Sequence, residues 1–381
     1  MRIPDEVARL YEHAGPFATA YLDATRATAR GADEVRLRWL ALRTELTAAG
    51  ADEATLAAME ERVESVDDHV PGEHGRVLVG ADGEMLLAAT LPRAPVRSQA
   101  RWAPLPHLMP FLAQQGPRIA HVVVVADHSG ADISAASAAM TAAALRAEPE
   151  HVEGSHAHPL HKTASADWSE RHFHQYVENN WAANAKEVAG AVARLAAQVD
   201  AGLIVVAGEQ QARGLLRDDL PGVLPSSVEV VDVSEGSRDS GPEHGDLLDA
   251  VHGVLLRRDL REREKTLERL REAQGHGLVV EGIDPVLGAL QRAQVDTLVV
   301  VDEPTSRVHA WVGPEATQLA RDAEDLQGLG VDTPQPDRLD AAMLRALAGT
   351  SGSLLTVPPD DVSLPDGVAA LLRYADASTP A

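Results

Sequence analysis

His121-Val122-Val123-Val124-Val125-Ala126 and, eighty residues on, Gly202-Leu203-Ile204-Val205-Val206-Ala207 are the stretches from which the fold is read. Each is a short apolar run rich in β-branched residues, which predicts a buried strand. Between them Phe173, Val177, Trp181, Val188, Val192, Leu195 and Val199 recur at three, four or seven residues, the spacing of one long helix with an apolar stripe. A helix-like stretch from Glu209 to Arg217 and a third strand, Val228 to Val233, follow. Strands alternating with helices are the pattern of an α/β sheet.

Upstream, the sequence predicts a helix from Asp5 to His13, a strand over Phe17–Asp23 and an amphipathic helix carrying Val35, Leu37, Leu40, Leu42 and Leu46. Residues 51–66 read as another helix. Arg76 to Thr90 reads as a hairpin turning at Asp82-Gly83. Residues 91–117 hold six prolines and no clear period, which suits a linker or an irregular domain wall. Downstream, residues 245–273 form a charged helix with seven basic and five acidic side chains between Arg257 and Glu272, the mark of a solvated, ion-paired face. Strands at Leu278–Val280, Thr297–Val301 and Ser353–Val357, a helix from Ile283 to Ala293 and a closing helix from Gly367 to Tyr374 complete the reading. Three α/β domains are expected: 1–117, 118–245 and 246–381.

The composition bounds the function. With 34 basic against 58 acidic residues the formal charge is −24, which argues against a coat for DNA or RNA held by bulk phosphate neutralisation. There is no cysteine, so no disulfide, no thiolate nucleophile and no Cys-bearing zinc site. Apolar runs are far shorter than a membrane span, and Met1 to Glu6 lacks the apolar core of a secretory signal. A cytoplasmic chain that enters no membrane is expected.

Two places stand out. His151, His156, His158, His161, His172 and His174 fall with Trp168, Phe173, Tyr176 and Trp181 in one short region. His156-x-His158-x-x-His161 offers imidazole donors, but no carboxylate stands at a diagnostic spacing, so no metal is expected. Aromatics and imidazoles also stack on RNA bases, and residues His158, His161, Lys162, Trp168, Arg171 and His172 are the candidates for that contact. Phe173, Val177 and Trp181 are better read as core. The second place is Met85 to Ala126, which has four arginines and no acid. There Arg93, Arg97 and Arg101 are candidates to face phosphate, or belong to a proline-rich segment that merely lacks acids. No G-x-x-x-x-G-K-[ST], G-x-G-x-x-G, G-x-S-x-G or H-E-x-x-H motif occurs, so no bound nucleotide or other cofactor is expected.

Val230-Val-Asp-Val-Ser-Glu-Gly236 and the run from Gly277 to Val301 resemble the middle and C-terminal parts of the archaeal and eukaryotic class I release factor and of Pelota. The closing Gly367–Tyr374 is similar to the last helix of that fold. Gly15–Asp23 and Ala126–Asp132 resemble the bacterial, actinobacterial branch of this superfamily, which is related to the hibernation factor Balon. The resemblance implies a three-domain α/β architecture with mixed sheets flanked by helices. It also implies a ribosomal partner contacting rRNA at the A site, with elongation factor Tu as a possible delivering GTPase. Release factors hydrolyse through a Gly-Gly-Gln loop, and the matching stretch here, Ala166 to Phe173, has neither glycine nor glutamine. The stop-codon motifs are also missing. A non-catalytic ribosome-binding factor for hibernation, dormancy or rescue is therefore expected. The rival expectations are a peptidyl-tRNA or RNA hydrolase using His161, His172 or Asp167 as acid–base groups, and a regulatory protein that kept only the fold.

Overall fold

The computed structural model describes residues 2–26, 31–64, 72–116, 118–137, 150–153, 169–236, 245–302 and 308–376; at residue 153 and across 169–181 only the backbone is described. The chain forms two compact units. One joins Met1–Gln115 with Thr266–Ala381; the other is Gly116–Lys265.

The first unit opens with α1 (Asp5–Leu10), β1 (Phe17–Asp23), α2 (Gly31–Ala48), α3 (Glu53–Glu64), β2 (Gly75–Ala81), β3 (Glu84–Leu91), β4 (Gln99–Ala103) and α4 (Met109–Ala113). The sheet order is β3-β2-β1-β4, all antiparallel. Asp82 and Gly83 both take positive φ at the β2–β3 turn, the backbone that a two-residue hairpin needs. The face of β1 carrying Ala18, Ala20 and Leu22 packs with Trp39, Leu42 and Leu46 of α2 and Leu56 and Met59 of α3.

The second unit holds β5 (His121–Ala126), β6 (Gly130–Ala136), β7 (Glu150–Glu153), α5 (Ser169–Val199), β8 (Leu203–Gly208), α6 (Gln210–Asp219), β9 (Glu229–Asp232) and the start of α7 (Gly245–Gln274). Its sheet runs β7-β6-β5-β8-β9. β5, β8 and β9 are parallel, and β6 and β7 return antiparallel on the other side of β5. Alternate residues of β5 and β8 serve opposite faces. Val122, Val124, Ile204 and Val206 meet α5 and α6, while Val123, Val125, Leu203 and Val205 meet Leu247, Val251 and Val254 of α7. Both faces are covered, which is why these strands are apolar without alternation. Glu150–Glu153 forms the edge strand β7, paired antiparallel with β6 from Gly130↔Glu153 to Ile133↔Glu150.

The chain returns to the first unit with β10 (Val279–Glu281), α8 (Ile283–Gln291), β11 (Val295–Val301), β12 (His309–Val312), β13 (Leu319–Ala320), α9 (Ala323–Gly328), β14 (Gln335–Arg338), α10 (Leu339–Gly349), β15 (Ser353–Val357) and β16 (Val368–Leu372). Two sheets result, β10-β16-β11-β15 and β13-β12-β14. One core cluster contains Val7, Phe17, Tyr21, Val77 and Phe111 from the first third of the chain together with Val286, Leu290, Leu298, Leu344 and Leu354 from the last.

Two expectations are corrected. Gly367–Tyr374 is not a helix: Val368–Leu372 is a fully buried strand between β10 and β11. Asp366 and Gly367 enter it with φ of 52° and 70°, and a helix here would leave the inner edges of β10 and β11 without ladder partners. Of the two readings of residues 91–117, a linker or an irregular domain wall, the linker is wrong: β4 pairs with β1 from Phe17↔Ala103 to Tyr21↔Gln99 and α4 buries Phe111 and Leu112.

Candidate nucleic-acid interface

His158, His161, Lys162 and Trp168 lie outside the described residues. Arg171 and His172 fall on the first turns of α5, where only the backbone is described, as do Phe173, Val177 and Trp181. The frame that leads into this region is described. On β7, His151 stands opposite Asp132 of β6, and its Nδ1 is 2.8 Å from Asp132 Oδ1. The Asp132 side chain is 11 % exposed and that of His151 65 %, so an inward carboxylate orients an outward imidazole. Glu150, on the same strand, pairs with Arg194 of α5.

At the carboxyl ends of the parallel strands β5 and β8, the turn Asp127–Gly130 is closed by Asp127 Oδ1. It accepts from the Ser129 and Gly130 amides at 2.7 and 2.9 Å, an Asx-type turn. Glu209 crosses to this turn, accepting from the His128 amide at 3.2 Å, and Asn184 Nδ2 of α5 donates to the His128 carbonyl at 3.3 Å. Gly208 has φ +102°, and a Cβ there would lie 2.1 Å from the Ala126 carbonyl oxygen. Only glycine fits that approach. This is the point in the sheet where the connections diverge to opposite sides, the usual place for a ligand in an open α/β sheet. Ala126–Asp132 stands out in the sequence only through the family resemblance; that its turn meets Gly208, Glu209 and Asn184 is not legible there, because these residues are scattered over eighty positions.

The basic island divides. Arg93 and Arg97 are exposed on the β3–β4 connection, with fully exposed Val96 between them. Arg101 is on β4 and pairs with Asp337, which is wholly buried on β14 and also accepts the Leu105 amide at 2.8 Å. Of the three arginines that either face phosphate or belong to an acid-poor proline-rich segment, Arg101 has a partner inside the first unit.

Beside this pair lies a second polar group. Arg338 forks onto Asp340, Nε to Oδ1 at 3.0 Å and Nη2 to Oδ2 at 2.7 Å, and His107 Nε2 is 3.4 Å from the same Oδ2. Burial alone would raise the Asp340 pKa; the contacts of His107 and Arg338 outweigh it and hold the carboxyl well below its usual range. Tyr21 Oη donates to the His107 carbonyl at 2.7 Å and accepts from the Phe111 amide at 3.2 Å. Desolvation pushes the Tyr21 phenol well above its ordinary value, so it stays neutral. Among the described residues no group of three or more His, Asp or Glu is arranged to hold a metal ion. No helix among them is long and apolar enough to cross a membrane.

Residues 120–276 match the model of the bacterial archaeo-eukaryotic release factor family 2. That stretch is thus similar to the bacterial branch of the archaeo-eukaryotic release factors. Uncharacterized proteins of two Mycobacterium tuberculosis strains, CDC 1551 / Oshkosh and ATCC 25618 / H37Rv, are each 28 % identical over 364 residues, covering 95 % of this chain and 94 % of theirs. Among solved structures, Archaeoglobus fulgidus Pelota is similar at 15 % identity and a TM-score of 0.37, covering 98 % of this chain and 94 % of that one. The archaeal termination factor aRF1 is similar at 16 % identity and a TM-score of 0.22, covering 97 % of each chain.

Proposed function

We propose that this chain is a cytoplasmic ribosome-binding factor that occupies the A site without releasing peptide, in hibernation, dormancy or rescue. The observation that carries the reading is the family match over residues 120–276, which spans the second unit. Release in this superfamily works through glycines and a glutamine, and Ala166–Phe173 contains none. In this reading the outward Arg93 and Arg97 meet rRNA phosphates, and the residues between His158 and His172 stack on or hydrogen-bond to large-subunit RNA. The three-domain division, with boundaries near 117 and 245, and docking on elongation factor Tu belong to the same proposal. A chain without a nucleotide loop draws any GTP dependence from a partner.

The test is sucrose-gradient sedimentation of stationary-phase lysate together with a release assay on programmed ribosomes. The protein is expected in the ribosomal fractions and inactive in release at every stop codon. Absence from those fractions rejects the ribosomal reading, and release above a buffer control rejects the non-catalytic one.

One observation favours a second reading. The Asp132–His151 pair fixes an imidazole with one nitrogen directed outward, the arrangement of a general base. A peptidyl-tRNA or RNA hydrolase would lose turnover in His151→Gln while sedimenting unchanged.

A further inference from the structure

We propose that a second copy of this chain pairs antiparallel along the free edge of β3, so that two first units share one sheet across a two-fold axis. This goes beyond the ribosomal reading and does not depend on it. β3 is the outer strand of the order β3-β2-β1-β4 and is paired on one side only. Among the described residues, none of its outward N–H and C=O groups has a hydrogen-bond partner. Such an edge is a template for a further strand, and proteins blunt it with charge, proline or short length. β7 carries Glu150 and His151, and β9, only four residues long, carries Glu229 and Asp232. β3 is eight residues long, and residues 85–91 contain neither a charge nor a proline. A bulge at Leu86 leaves residues 87–91 as its regular run.

The charges at the two ends of β3 say which strand fits. Asp82 and Glu84 stand at the hairpin end, Arg93 and Arg97 just past the other end, and all four are exposed. None of them is in an ion pair among the described residues. The edge is therefore negative at one end, neutral along its middle and positive at the other. An antiparallel copy brings each acidic end against the basic end of its partner. A parallel copy would set like charges together, which is destabilising. The two-fold arrangement also closes, because each copy has one β3 edge and the axis uses both. Ala89, at the centre of the regular run, puts only methyl groups at the axis.

The experiment is sedimentation equilibrium of the full-length protein from low micromolar to submillimolar concentration. The mass is expected to rise from 40.5 kDa toward twice that value. The mass of a single chain throughout overturns the proposal and leaves the edge to solvent or to a foreign strand. Glu84→Arg and Arg93→Glu should each weaken the dimer about three- to tenfold, since two surface pairs turn repulsive. Mixed together, these two variants should regain wild-type association, because each reversed end then meets its opposite. A dimer indifferent to both reversals, or variants that do not associate when mixed, overturns the pairing. Alternate residues of a strand direct their N–H groups to opposite edges, so one of Ala88→Pro and Ala89→Pro leaves the ladder to β2 whole. Whichever of the two keeps the higher melting temperature should be monomeric, and a dimer of that variant overturns the assignment to this edge.

Discussion

Arg101, on the edge strand β4, is paired with Asp337, a carboxylate with no solvent exposure on β14. The same carboxylate receives the Leu105 amide, so one acid from the last third of the chain satisfies two groups from the first. A buried charge of this kind is tolerated only while its partners stay in place. Asp337→Ala should therefore cost about 3–5 kcal/mol by leaving a guanidinium and an amide unpaired. Arg101→Ala strands the buried carboxylate itself and should cost a similar amount, about 3–5 kcal/mol. Chemical denaturation of the two variants and the double variant measures this, and a double-variant cost well below the sum is the expected coupling.

The shared core extends the point to the backbone. Val7, Phe17, Tyr21 and Phe111 pack in one cluster with Val286, Leu298 and Leu344. A fragment of residues 1–265 keeps the second unit whole but removes more than half of that cluster and the partners of Arg101 and His107. Such a fragment should show a cooperative melt for the second unit only, with residues 1–115 rapidly exchanging amide hydrogens. Full protection across β1 and β2 in the fragment would contradict the shared core.

Asp340 gives the acid limb of stability a definite sign. Its pKa in the folded chain lies below that of an unfolded chain, about 4. A depressed carboxyl stabilises the fold above the unfolded value, and that contribution disappears as pH falls through the folded value. Melting temperature should thus fall steeply below about pH 4, and Asp340→Asn should lower stability at pH 7 while flattening that fall. An unchanged acid limb in the variant would show that Asp340 is not what titrates.

The second unit was legible because its strands are covered on both faces and its helices carry a full apolar stripe; β5, α5, β8 and α6 all lie where the apolar periods put them. The strand β16 was misread because Val-Ala-Ala-Leu-Leu has no alternation, and a fully buried strand cannot be told from a helix by period alone. β4 and α4 were missed because six prolines masked a segment whose pairing is set by β1, not by its own propensity. Arg101 illustrates the limit for sites. Its sequence neighbourhood has no acid, and its partner stands on a strand from the other end of the chain. The main RNA candidates, between His158 and Trp168, lie outside the described residues.

Gly208 is the sharpest single-residue test of the second unit. Its φ is +102°, and a Cβ would stand 2.1 Å from the Ala126 oxygen and 2.7 Å from the Ala126 nitrogen. No rotamer relieves a clash with backbone, so β5 and β8 must separate at their carboxyl ends. Gly208→Ala should cost at least about 2 kcal/mol. Gly214→Ala, where a Cβ meets nothing within 4 Å, serves as the control and should be neutral or slightly stabilising. A Gly208→Ala protein as stable as wild type would mean that the Glu209 turn adopts another backbone.

Arg93 and Arg97 carry the last prediction. Both are exposed on one short connection, and Val96 between them is fully exposed, so the double substitution to alanine removes charge without touching the core. Stability should stay within about 0.5 kcal/mol of wild type. If the two guanidinium groups meet phosphates, ribosome binding weakens and its dependence on salt becomes shallower. Each phosphate contact contributes about 0.7–0.9 to the slope of log K against log salt, so the double variant should lose about 1.4–1.8. Arg101→Ala separates this from a general loss of positive charge. It should reduce stability through Asp337 and leave the salt slope unchanged. Sedimentation with purified ribosomes at a series of salt concentrations reads both quantities, and a slope unaltered in the double variant would remove these arginines from the interface.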